Sequence, residues 1–474
     1  MEKEDKKLLL RTIPSLEKLI SSDEFKNFKG IYPRRLVLKI ARNCIENIRT
    51  KILNNSSTVS VDDYSIYSQV KEELQRWDRH GIKRVINATG VPLHTNMGRS
   101  PLCERAKKRL ESILETYCSL EIDGETGKRG SRSKRVEKLL SEFTGAESAV
   151  VVNNDSSAVL LVLENLAKNK EVIISRGELV EIGGGFRIPE VMERSGCHLV
   201  EVGTTNKTRL IDYKKAITPN TGMLLKVHTS NFKIIGFTES VSLEELIHMA
   251  KSENLPLFYD QGNGLMINLM PYGFEHELNV IESIKAGVDI IAFSGDKLFG
   301  GPQGGIILGK KKYIEPLKND PLMRALRPDK MTLACLEATI EEYLTTENPE
   351  ETIPILNMLT EKPAKLKKRV EDFIQELINI KNPETEINLT EGFSEIGGGT
   401  FPGFSLPTFM AGIKSPEGAN ILQEKLRRQN PSIYCRISED QVLIDLRTIK
   451  GNDRKDLLNG FKKVFTERQF NSID

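Results

Sequence analysis

Short apolar runs alternate with helical stretches between residues 81 and 345, and this alternation constrains the fold more than any other feature of the chain. The runs lie at residues 149–152, 171–174, 198–202, 223–227, 257–259 and 290–293. Helical stretches such as 158–167 and 243–250 separate them. This order of elements predicts an α/β fold, with a mostly parallel sheet and helices on both of its faces. In such sheets a ligand binds beyond the carboxyl ends of the strands.

Two further regions flank the predicted core. Apolar residues with helical spacing predict a helical module and linker at residues 1–80, which ends in a polar turn at 54–58 and a mixed-charge helix at 70–79. The last region begins with a charged helix at 362–380 and mixes strands such as 442–446 with helices such as 418–428. We therefore expect three domains: the module at 1–80, the core at 81–345 and a small α+β domain at 346–474.

The composition excludes several classes of protein. The formal net charge is only +2, so any acidic partner must be met by a local basic patch. The six cysteines lie far apart without a CxxC pair, which argues against a zinc site and against a disulfide framework. The first residues are charged rather than signal-like, and no apolar run approaches the length of a membrane span. We expect a soluble, cytoplasmic protein without a bound metal.

A lysine follows the last predicted core strand, in the glycine-rich loop at residues 294–305. Lys297 can lose its proton there if it is partly desolvated, which suits Schiff-base chemistry. Asp260 ends the preceding predicted strand. A pyridoxal phosphate site needs this pairing, because the carboxylate keeps the pyridine nitrogen protonated and the lysine carries the aldehyde. The alternative is a surface lysine in a turn, which the flanking strand and glycines disfavour.

A candidate phosphate site lies at residues 152–158, which follow a strand and open a helix. Free backbone N–H groups and small hydroxyls at a helix N-terminus bind phosphate well. The candidate donors are Asn154, Ser156, Ser157 and, from the lysine loop, Ser294. Any capped helix has a similar sequence, so the assignment depends on the neighbouring lysine.

Two polar stretches, at residues 175–187 and 226–232, are too rich in functional side chains to be simple connectors. In the first, Glu181 and Arg187 either touch a cofactor or substrate or pair with each other as a buried salt bridge. In the second, His228 either packs against a cofactor ring or satisfies a hydrogen bond in the core. The residues alone leave both alternatives open.

Three arginines indicate an oxyanion or carboxylate substrate. Guanidinium groups bind such anions through two parallel hydrogen bonds. Arg99 lies in the segment 93–99, and Arg324 and Arg327 lie in the segment 324–330. The alternative for the last two is surface pairing with Asp320 or Asp329.

The segment at residues 26–51 carries eight basic residues and one acidic residue, Glu46. Either it is a solvated helix face or it contacts a phosphate backbone. The basic residues are Lys26, Lys29, Arg34, Arg35, Lys39, Arg42, Arg49 and Lys51.

With these residues in hand, the chain resembles the bacterial selenocysteine synthases, the L-seryl-tRNA(Sec) selenium transferases. The resemblance spans nearly the full length of the chain. The matching segments are 11–16, 84–90, 94–96, 127–132, 175–189, 201–206, 226–231, 294–305, 324–330, 397–399 and 445–448.

The resemblance implies a fold-type I enzyme dependent on pyridoxal 5'-phosphate. Such an enzyme converts seryl-tRNA(Sec) to selenocysteinyl-tRNA(Sec) with selenophosphate, by way of an aminoacrylyl-tRNA. It implies that Lys297 holds the cofactor, that Asp260 faces the pyridine nitrogen and that Asp296 is catalytically important.

The resemblance also implies roles for the basic residues. It places Arg99, Arg324 and Arg327 in the selenophosphate pocket. It favours tRNA contact for the N-terminal module, where Arg34, Arg35, Lys39 and Arg42 are the candidates. Finally, it implies a homo-oligomer, a ring of dimers with active sites formed between subunits.

Two segments depart from the family pattern. The chain has Asp-Gln-Gly-Asn-Gly at residues 260–264 where the family usually has Asp-Leu-Gly-Ser-Gly. It also has Asp155, Ser156 and Ser157 where alanines usually follow the asparagines. The first change keeps the carboxylate, whereas the second puts an acidic side chain near the predicted phosphate site.

Two other functions fit parts of the sequence. A related pyridoxal phosphate lyase would act on a small amino acid or amino sugar, but it would have no need of the basic module before residue 80. A noncatalytic tRNA-binding protein would have no need to retain Lys297, Asp260 and the three arginines.

Overall fold

The computed structural model of the chain describes residues 3–54, 61–79, 81–183 and 185–466. It divides into two compact units, Met1–Arg84 and Val85–Asp474. Residues 55–58 of the predicted turn, Gly184 of the first polar stretch and residues 467–474 of the predicted C-terminal domain lie outside the described residues.

The described part of the N-terminal unit is helical, as the sequence predicts. Helix α4 buries Val37, Ala41, Ile45, Ile48 and Ile52, spaced three or four residues apart, so one face of the helix builds the core of the unit. The helices are α1 (Lys3–Thr12), α2 (Leu16–Ser21), α3 (Asp23–Lys26), α4 (Arg34–Leu53) and α5 (Asp63–Arg79).

The second unit contains all of the described strands and the remaining helices. The strands are β1 (Val85–Ala88), β2 (Ser148–Val152), β3 (Glu171–Ser175), β4 (Glu181–Ile182), β5 (Phe186–Arg187), β6 (His198–Val202), β7 (Thr221–Val227), β8 (Leu257–Gly262), β9 (Ile290–Ser294), β10 (Gly305–Gly309), β11 (Glu386–Glu395), β12 (Ser405–Lys414), β13 (Ser432–Ser438) and β14 (Gln441–Asp445). The helices are α6 (Glu104–Leu114), α7 (Lys134–Thr144), α8 (Asp155–Ala167), α9 (Ile188–Arg194), α10 (Leu210–Ala216), α11 (Leu243–Ser252), α12 (Val280–Ala286), α13 (Lys311–Lys318), α14 (Met323–Leu326), α15 (Lys330–Thr345), α16 (Pro349–Thr352), α17 (Pro354–Thr360), α18 (Pro363–Ile378), α19 (Ala419–Arg427) and α20 (Asp453–Thr466).

A seven-stranded sheet organises this unit, with the strand order β2-β10-β9-β8-β7-β3-β6. The pairs from β9 to β6 are parallel, and β10 runs antiparallel to both of its neighbours. Alternate residues of a strand enter different cores: Ile291 packs into one apolar cluster, and Ile290 and Ala292 pack into another. Both faces of the sheet are therefore covered, as is typical of parallel sheets. The predicted α/β fold class is confirmed.

A second sheet has five strands in the order β1-β13-β14-β12-β11. Strand β1 pairs in parallel with β13, and Ile86 and Ala88 enter the core of this sheet. The predicted core at 81–345 includes residues 85–88. The structure pairs them with a strand from the other end of the chain, which no local pattern reveals. The predicted boundary at residue 345 stays a prediction.

Membrane-spanning helices are absent from the described parts of both units, because no helix there combines sufficient length with sufficient apolar character.

Candidate active site

Lys297 lies just beyond the fully buried strand β9, at the carboxyl edge of the large sheet. Its loop is held by backbone hydrogen bonds: Gly295 N–H donates to Gly304 O over 2.8 Å, and Leu298 N–H donates to Asn263 O over 2.9 Å. Only 4% of the lysine is exposed. Burial lowers the pKa of Lys297 because it penalises the charged ammonium, and the nearby Arg99 guanidinium acts in the same direction. The lysine is therefore poised to react as a neutral amine.

Asp260 is the last residue of the regular part of strand β8. Its carboxyl group and the amine of Lys297 both lie close to Gly262. Gly262 has φ +68°, and a Cβ built there would lie 3.7 Å from Asp260 Oδ1, 3.9 Å from Lys297 Nζ and 4.0 Å from Asp155 Oδ2. The absent side chain thus leaves a space that all three groups surround. Burial, and then the Asp155 carboxylate, raise the pKa of Asp260, whereas Lys297 opposes the shift. A cation bound in this space would favour the ionised carboxylate.

The predicted phosphate site is the N-terminus of helix α8. The Asn154 side chain caps the helix by accepting the Ser157 N–H over 2.9 Å. Ser156 is exposed and Ser157 is half-buried. The Ser294 hydroxyl, expected to be a phosphate donor, instead donates to Asp155 Oδ2 over 3.3 Å. The structure therefore brings the four predicted donors together, with two of them already engaged in hydrogen bonds inside the protein.

Asp155 is the first residue of α8, and in the sequence it stands out only as a departure from the family pattern. The residue as a whole is partly exposed, but its carboxyl group is enclosed, and Oδ1 has no hydrogen-bond partner among the described residues. Burial raises the pKa of Asp155 to about 6, with Lys297 and the Ser294 hydroxyl opposing the shift. Lys297 therefore faces two buried carboxyl groups.

Arg99 lies in the same neighbourhood. Its backbone has φ +62°, and its Nη1 donates to both carboxylate oxygens of Asp296, over 2.9 and 2.8 Å. The backbone N–H of Ser100 donates to Asp296 O over 3.2 Å. These contacts fix the segment at residues 93–99 against the lysine loop. Two of the predicted site residues, Arg99 and Asp296, thus form an ion pair beside Lys297.

Arg324 and Arg327 lie in and just after the short helix α14. Arg324 is exposed and Arg327 is half-buried, and neither guanidinium has a polar partner in the described parts of the chain. Surface pairing with Asp320 or Asp329 is therefore not observed. The backbone N–H of Asn153 donates to Leu326 O over 2.8 Å, which ties this segment to the start of helix α8.

His228 follows strand β7, and its backbone N–H donates to Asp260 O over 2.9 Å. Its Nε2 lies 3.2 Å from Oε1 of Glu277. The other ring nitrogen, Nδ1, is buried without a partner among the described residues. Burial lowers the pKa of His228 to about 4, aided by Lys226 and Lys297. Nε2 therefore lies close to a carboxyl oxygen, while Nδ1 has no partner among the described residues.

Two acidic residues that were not predicted as site residues also lie here: Glu178, which is buried, and Glu277, which is half-buried. Glu277 accepts a hydrogen bond from Asn263 Nδ2 over 2.6 Å, and burial raises its pKa to about 7. Glu178 pairs with Lys226 over 2.9 Å and accepts the Val227 N–H over 3.1 Å. Glu178 lay in a stretch already marked as polar, but Glu277 lies in an irregular segment without any local sequence signal.

Glu181 and Arg187 pair with each other over 2.8 Å, but not as a buried salt bridge. Each side chain is 55% exposed, because the two-stranded sheet β4–β5 carries them at the surface. Glu181 and Arg187 therefore pair with each other, as one of the two alternatives predicts, but their ion pair is exposed.

A cavity of about 390 Å³ adjoins the lysine site. It shares His228, Tyr259 and Glu277 with the surroundings of Asp260, and Glu178, Lys226 and Phe404 form other parts of its wall. Its volume is in the range of small-molecule sites. No group of three or more metal-binding side chains occurs among the residues that the structure describes.

In the N-terminal unit, helix α4 carries four exposed basic residues, Arg34, Arg35, Lys39 and Arg42. None of the four has an ion-pair partner in the described part of the unit. Arg34 and Arg42 line a groove with Lys26 and Lys29. The predicted basic surface is therefore present.

The fold and the site together define an α/β enzyme with a desolvated lysine at the carboxyl edge of its sheet. A family profile described as L-seryl-tRNA selenium transferase matches residues 85–450. The L-seryl-tRNA(Sec) selenium transferase of Carboxydothermus hydrogenoformans is 46% identical over 443 residues, which are 93% of this chain and 94% of that protein. The enzyme of the same name from Alkaliphilus metalliredigens is 45% identical over 461 residues, 96% of this chain and 98% of that protein.

The chain belongs to the L-seryl-tRNA selenium transferase family, and the resemblance seen in the sequence is confirmed. Among solved structures, a D-glucosaminate-6-phosphate ammonia-lyase superposes with a TM-score of 0.56 at 18% identity. It covers 83% of this chain and 98% of that one, and the similarity shows a shared fold.

We expect Asp155→Asn to make Lys297 more reactive. Among the charges near Lys297, the Asp155 carboxylate contributes most to raising its pKa. Its removal lowers that pKa further, so a larger fraction of the lysine is the neutral nucleophile at a given pH. Acetylation of Lys297 by acetic anhydride at pH 8, followed by peptide mass spectrometry, should be severalfold faster. Asp212→Asn, on helix α10, is the matched control, and equal rates in both variants would contradict the assignment.

Proposed function

We propose that the protein is an L-seryl-tRNA(Sec) selenium transferase dependent on pyridoxal 5'-phosphate. It converts seryl-tRNA(Sec) to selenocysteinyl-tRNA(Sec) with selenophosphate as the selenium donor. The observation that carries the proposal is the buried Lys297, placed between Asp260 and the Arg99–Asp296 pair in a chain of this family.

The residues of the site fit pyridoxal phosphate. Lys297 is a desolvated amine, Asp260 offers a buried carboxyl group, and Gly262 leaves the space between them free. Helix α8 directs its N-terminal N–H groups toward the same region and would hold the phosphate, with Asn154, Ser156, Ser157 and Ser294 as further contacts. Asp155 adds a negative charge there, which Lys297 offsets.

When bound, the cofactor would withdraw electrons from the α-carbon of the seryl group, so that the β-hydroxyl can leave and selenium can replace it. The protein supplies the proton transfers and the anion contacts. Burial lowers the pKa of Lys297, which favours the neutral amine that can accept the α-proton. Asp260 balances positive charge on the ring nitrogen, and Asp296 holds Arg99 through both carboxylate oxygens.

Selenophosphate is a tetrahedral oxyanion, and three arginines are proposed to bind it. Arg324 and Arg327 have no polar partner among the described residues, so both guanidinium groups are available to bind the anion. Arg99 uses Nη1 for Asp296 and has other N–H groups left to donate. Because Arg99 lies close to Lys297, these arginines would draw the selenophosphate anion towards the lysine.

A small-molecule lyase is not favoured. Relatives at 43–46% identity over most of the chain carry the selenium transferase name, whereas the ammonia-lyase structure is 18% identical. We further propose a homo-oligomer, in the form of a ring of dimers. The exposed apolar residues Tyr117, Ile235 and Phe237 support subunit contacts. A tRNA substrate supports action in the cytoplasm.

Lys297→Ala should abolish selenocysteinyl-tRNA(Sec) formation by protein supplied with pyridoxal phosphate, seryl-tRNA(Sec) and selenophosphate. The expected loss exceeds about a thousandfold, because both covalent attachment and α-proton transfer need the amine. Lys311→Ala, an exposed lysine next to strand β10, should retain activity. Both variants should still bind the tRNA. Activity that survives in the Lys297 variant would refute the mechanism, and an inactive wild-type protein would favour a noncatalytic role.

The tRNA is proposed to contact Arg34, Arg35, Lys39 and Arg42. Replacing all four with alanine should weaken binding of tRNA(Sec) about tenfold or more in 0.15 M salt. The slope of log K against log salt should also become shallower, because fewer counterions are released. Filter binding across a salt series measures both quantities. Lys71→Ala, on helix α5 of the same unit, is the control. An unchanged slope in the fourfold variant would place the tRNA elsewhere.

A further inference from the structure

The carboxyl group of Asp155 lies at the site proposed to hold the cofactor phosphate. Asp155 is the first residue of helix α8, and the backbone N–H groups of Asp155 and Ser156 have no acceptor among the described residues. A phosphate bound at these N–H groups would therefore lie beside the Asp155 side chain. A carboxylate in the first turn of a helix is itself stabilised by the helix dipole. Asp155 thus already supplies the negative charge that this helix end favours.

Asp155 also holds one of the proposed phosphate donors. The Ser294 hydroxyl donates a hydrogen bond to Asp155 Oδ2 over 3.3 Å. A serine hydroxyl has a single hydrogen to donate, so Ser294 cannot donate to Asp155 and to a phosphate at the same time. A cofactor phosphate that binds Ser294 must therefore take this hydrogen bond from the carboxylate.

The carboxyl group has little else to stabilise it. Oδ1 is enclosed and has no hydrogen-bond partner among the described residues. A Cβ built on Gly262 would lie 4.0 Å from Asp155 Oδ2 and 3.9 Å from Lys297 Nζ, so the carboxyl group borders the same space as the lysine. Loss of the Ser294 hydrogen bond would leave both oxygens without a donor, which is costly for an ionised carboxylate inside a protein.

Four charged side chains act on Asp155. Lys297 and Arg99 lower its pKa, Asp296 raises it, and Asp260 interacts unfavourably with it. Burial is the largest influence and raises the pKa of Asp155 to about 6. A bound phosphate would add negative charge at close range and raise this pKa further. Near neutral pH the carboxylate would therefore gain a proton when the phosphate binds.

We propose that Asp155 is an internal anion of the phosphate site, which competes with the cofactor phosphate for the Ser294 hydroxyl and takes up a proton from solvent when that phosphate binds. This inference rests on the proposed function for the presence of pyridoxal phosphate. Asp155 is one of the residues at which the chain departs from the family pattern. It makes the affinity for the phosphorylated cofactor depend on pH.

The direction of this pH dependence follows from the ionisation of Asp155. Below a pH of about 6 the free protein already carries the protonated acid, so phosphate binding needs no further proton. Above that pH the carboxylate must be protonated, so the affinity falls as the pH rises toward the higher pKa of the complex. The cofactor phosphate also ionises near pH 6. Wild type must therefore be compared with a variant that lacks the carboxylate.

The test uses full-length wild type and Asp155→Asn, dialysed free of cofactor and titrated with pyridoxal phosphate and with pyridoxal, which lacks the phosphate. The ratio of the two dissociation constants is the measured quantity, because a change in the reactivity of Lys297 affects both ligands. At pH 8 the preference for pyridoxal phosphate should be about tenfold stronger in Asp155→Asn. At pH 5.5 the two proteins should agree within about twofold. Asp212→Asn should match wild type at both pH values.

Equal preferences in wild type and Asp155→Asn at pH 8 would overturn the proposal. A weaker preference in the variant would also overturn it, because Asp155 would then help to bind the phosphate. Failure of the proposed function has a different signature. Wild type would then bind neither ligand, which refutes the function and this inference together, whereas a bound cofactor with an unchanged ratio refutes this inference alone.

A double-mutant cycle tests the competition for Ser294. At pH 8, Ser294→Ala should weaken binding of pyridoxal phosphate severalfold more in the Asp155→Ala background than in wild type. The reason is that wild type without cofactor also loses a hydrogen bond when Ser294 is replaced, which offsets part of the loss. Equal losses in the two backgrounds would overturn the competition. Asp155→Ala also takes the place of Asp155→Asn in the titrations if the asparagine variant does not fold.

Discussion

The burial of Lys297 is the constraint on which the rest of the site depends. An ammonium group at the end of a buried strand costs several kcal/mol of solvation, so the protein must offset its charge or accept a neutral amine. Burial lowers the pKa of Lys297 and so favours the neutral amine, whereas the nearby carboxylates act against that shift. Strand β9 and the glycine loop leave only 4% of the lysine exposed, and carboxyl groups of Asp155 and Asp260 lie close to it. A lysine held in this way differs in its chemistry from one on a helix surface.

The same burial links the ionisation states of the groups around the lysine. The Asp155 carboxylate raises the pKa of Asp260, although less than burial does, and Lys297 acts to lower the pKa of both carboxyl groups. The Arg99–Asp296 pair adds a second cation at the edge of the site. A positively charged ring nitrogen, a phosphate and an oxyanion would each find a group of opposite charge here. Binding of one is therefore expected to change the affinity for the others.

The sequence reveals the residues at strand ends well, because an apolar run shows where a strand stops and which polar residue follows it. Lys297, Asp260 and His228 were all found in this way. It does not reveal Glu277, which lies in an irregular segment and enters the site only through the fold. Nor does it reveal that β1 joins the second sheet or that β10 runs antiparallel in the first. These pairings depend on residues distant in the chain, and the exposure of the Glu181–Arg187 pair depends on the small sheet that carries it.

The central claim is that Lys297 is the residue that binds the cofactor covalently. Borohydride reduction of the protein loaded with pyridoxal phosphate makes such a bond permanent, and peptide mass spectrometry then locates it. The account predicts one phosphopyridoxyl group for each chain, on the peptide that contains Lys297. The Lys311→Ala variant should give the same result. A modification at another lysine, with the Lys297 peptide unmodified, would contradict the account.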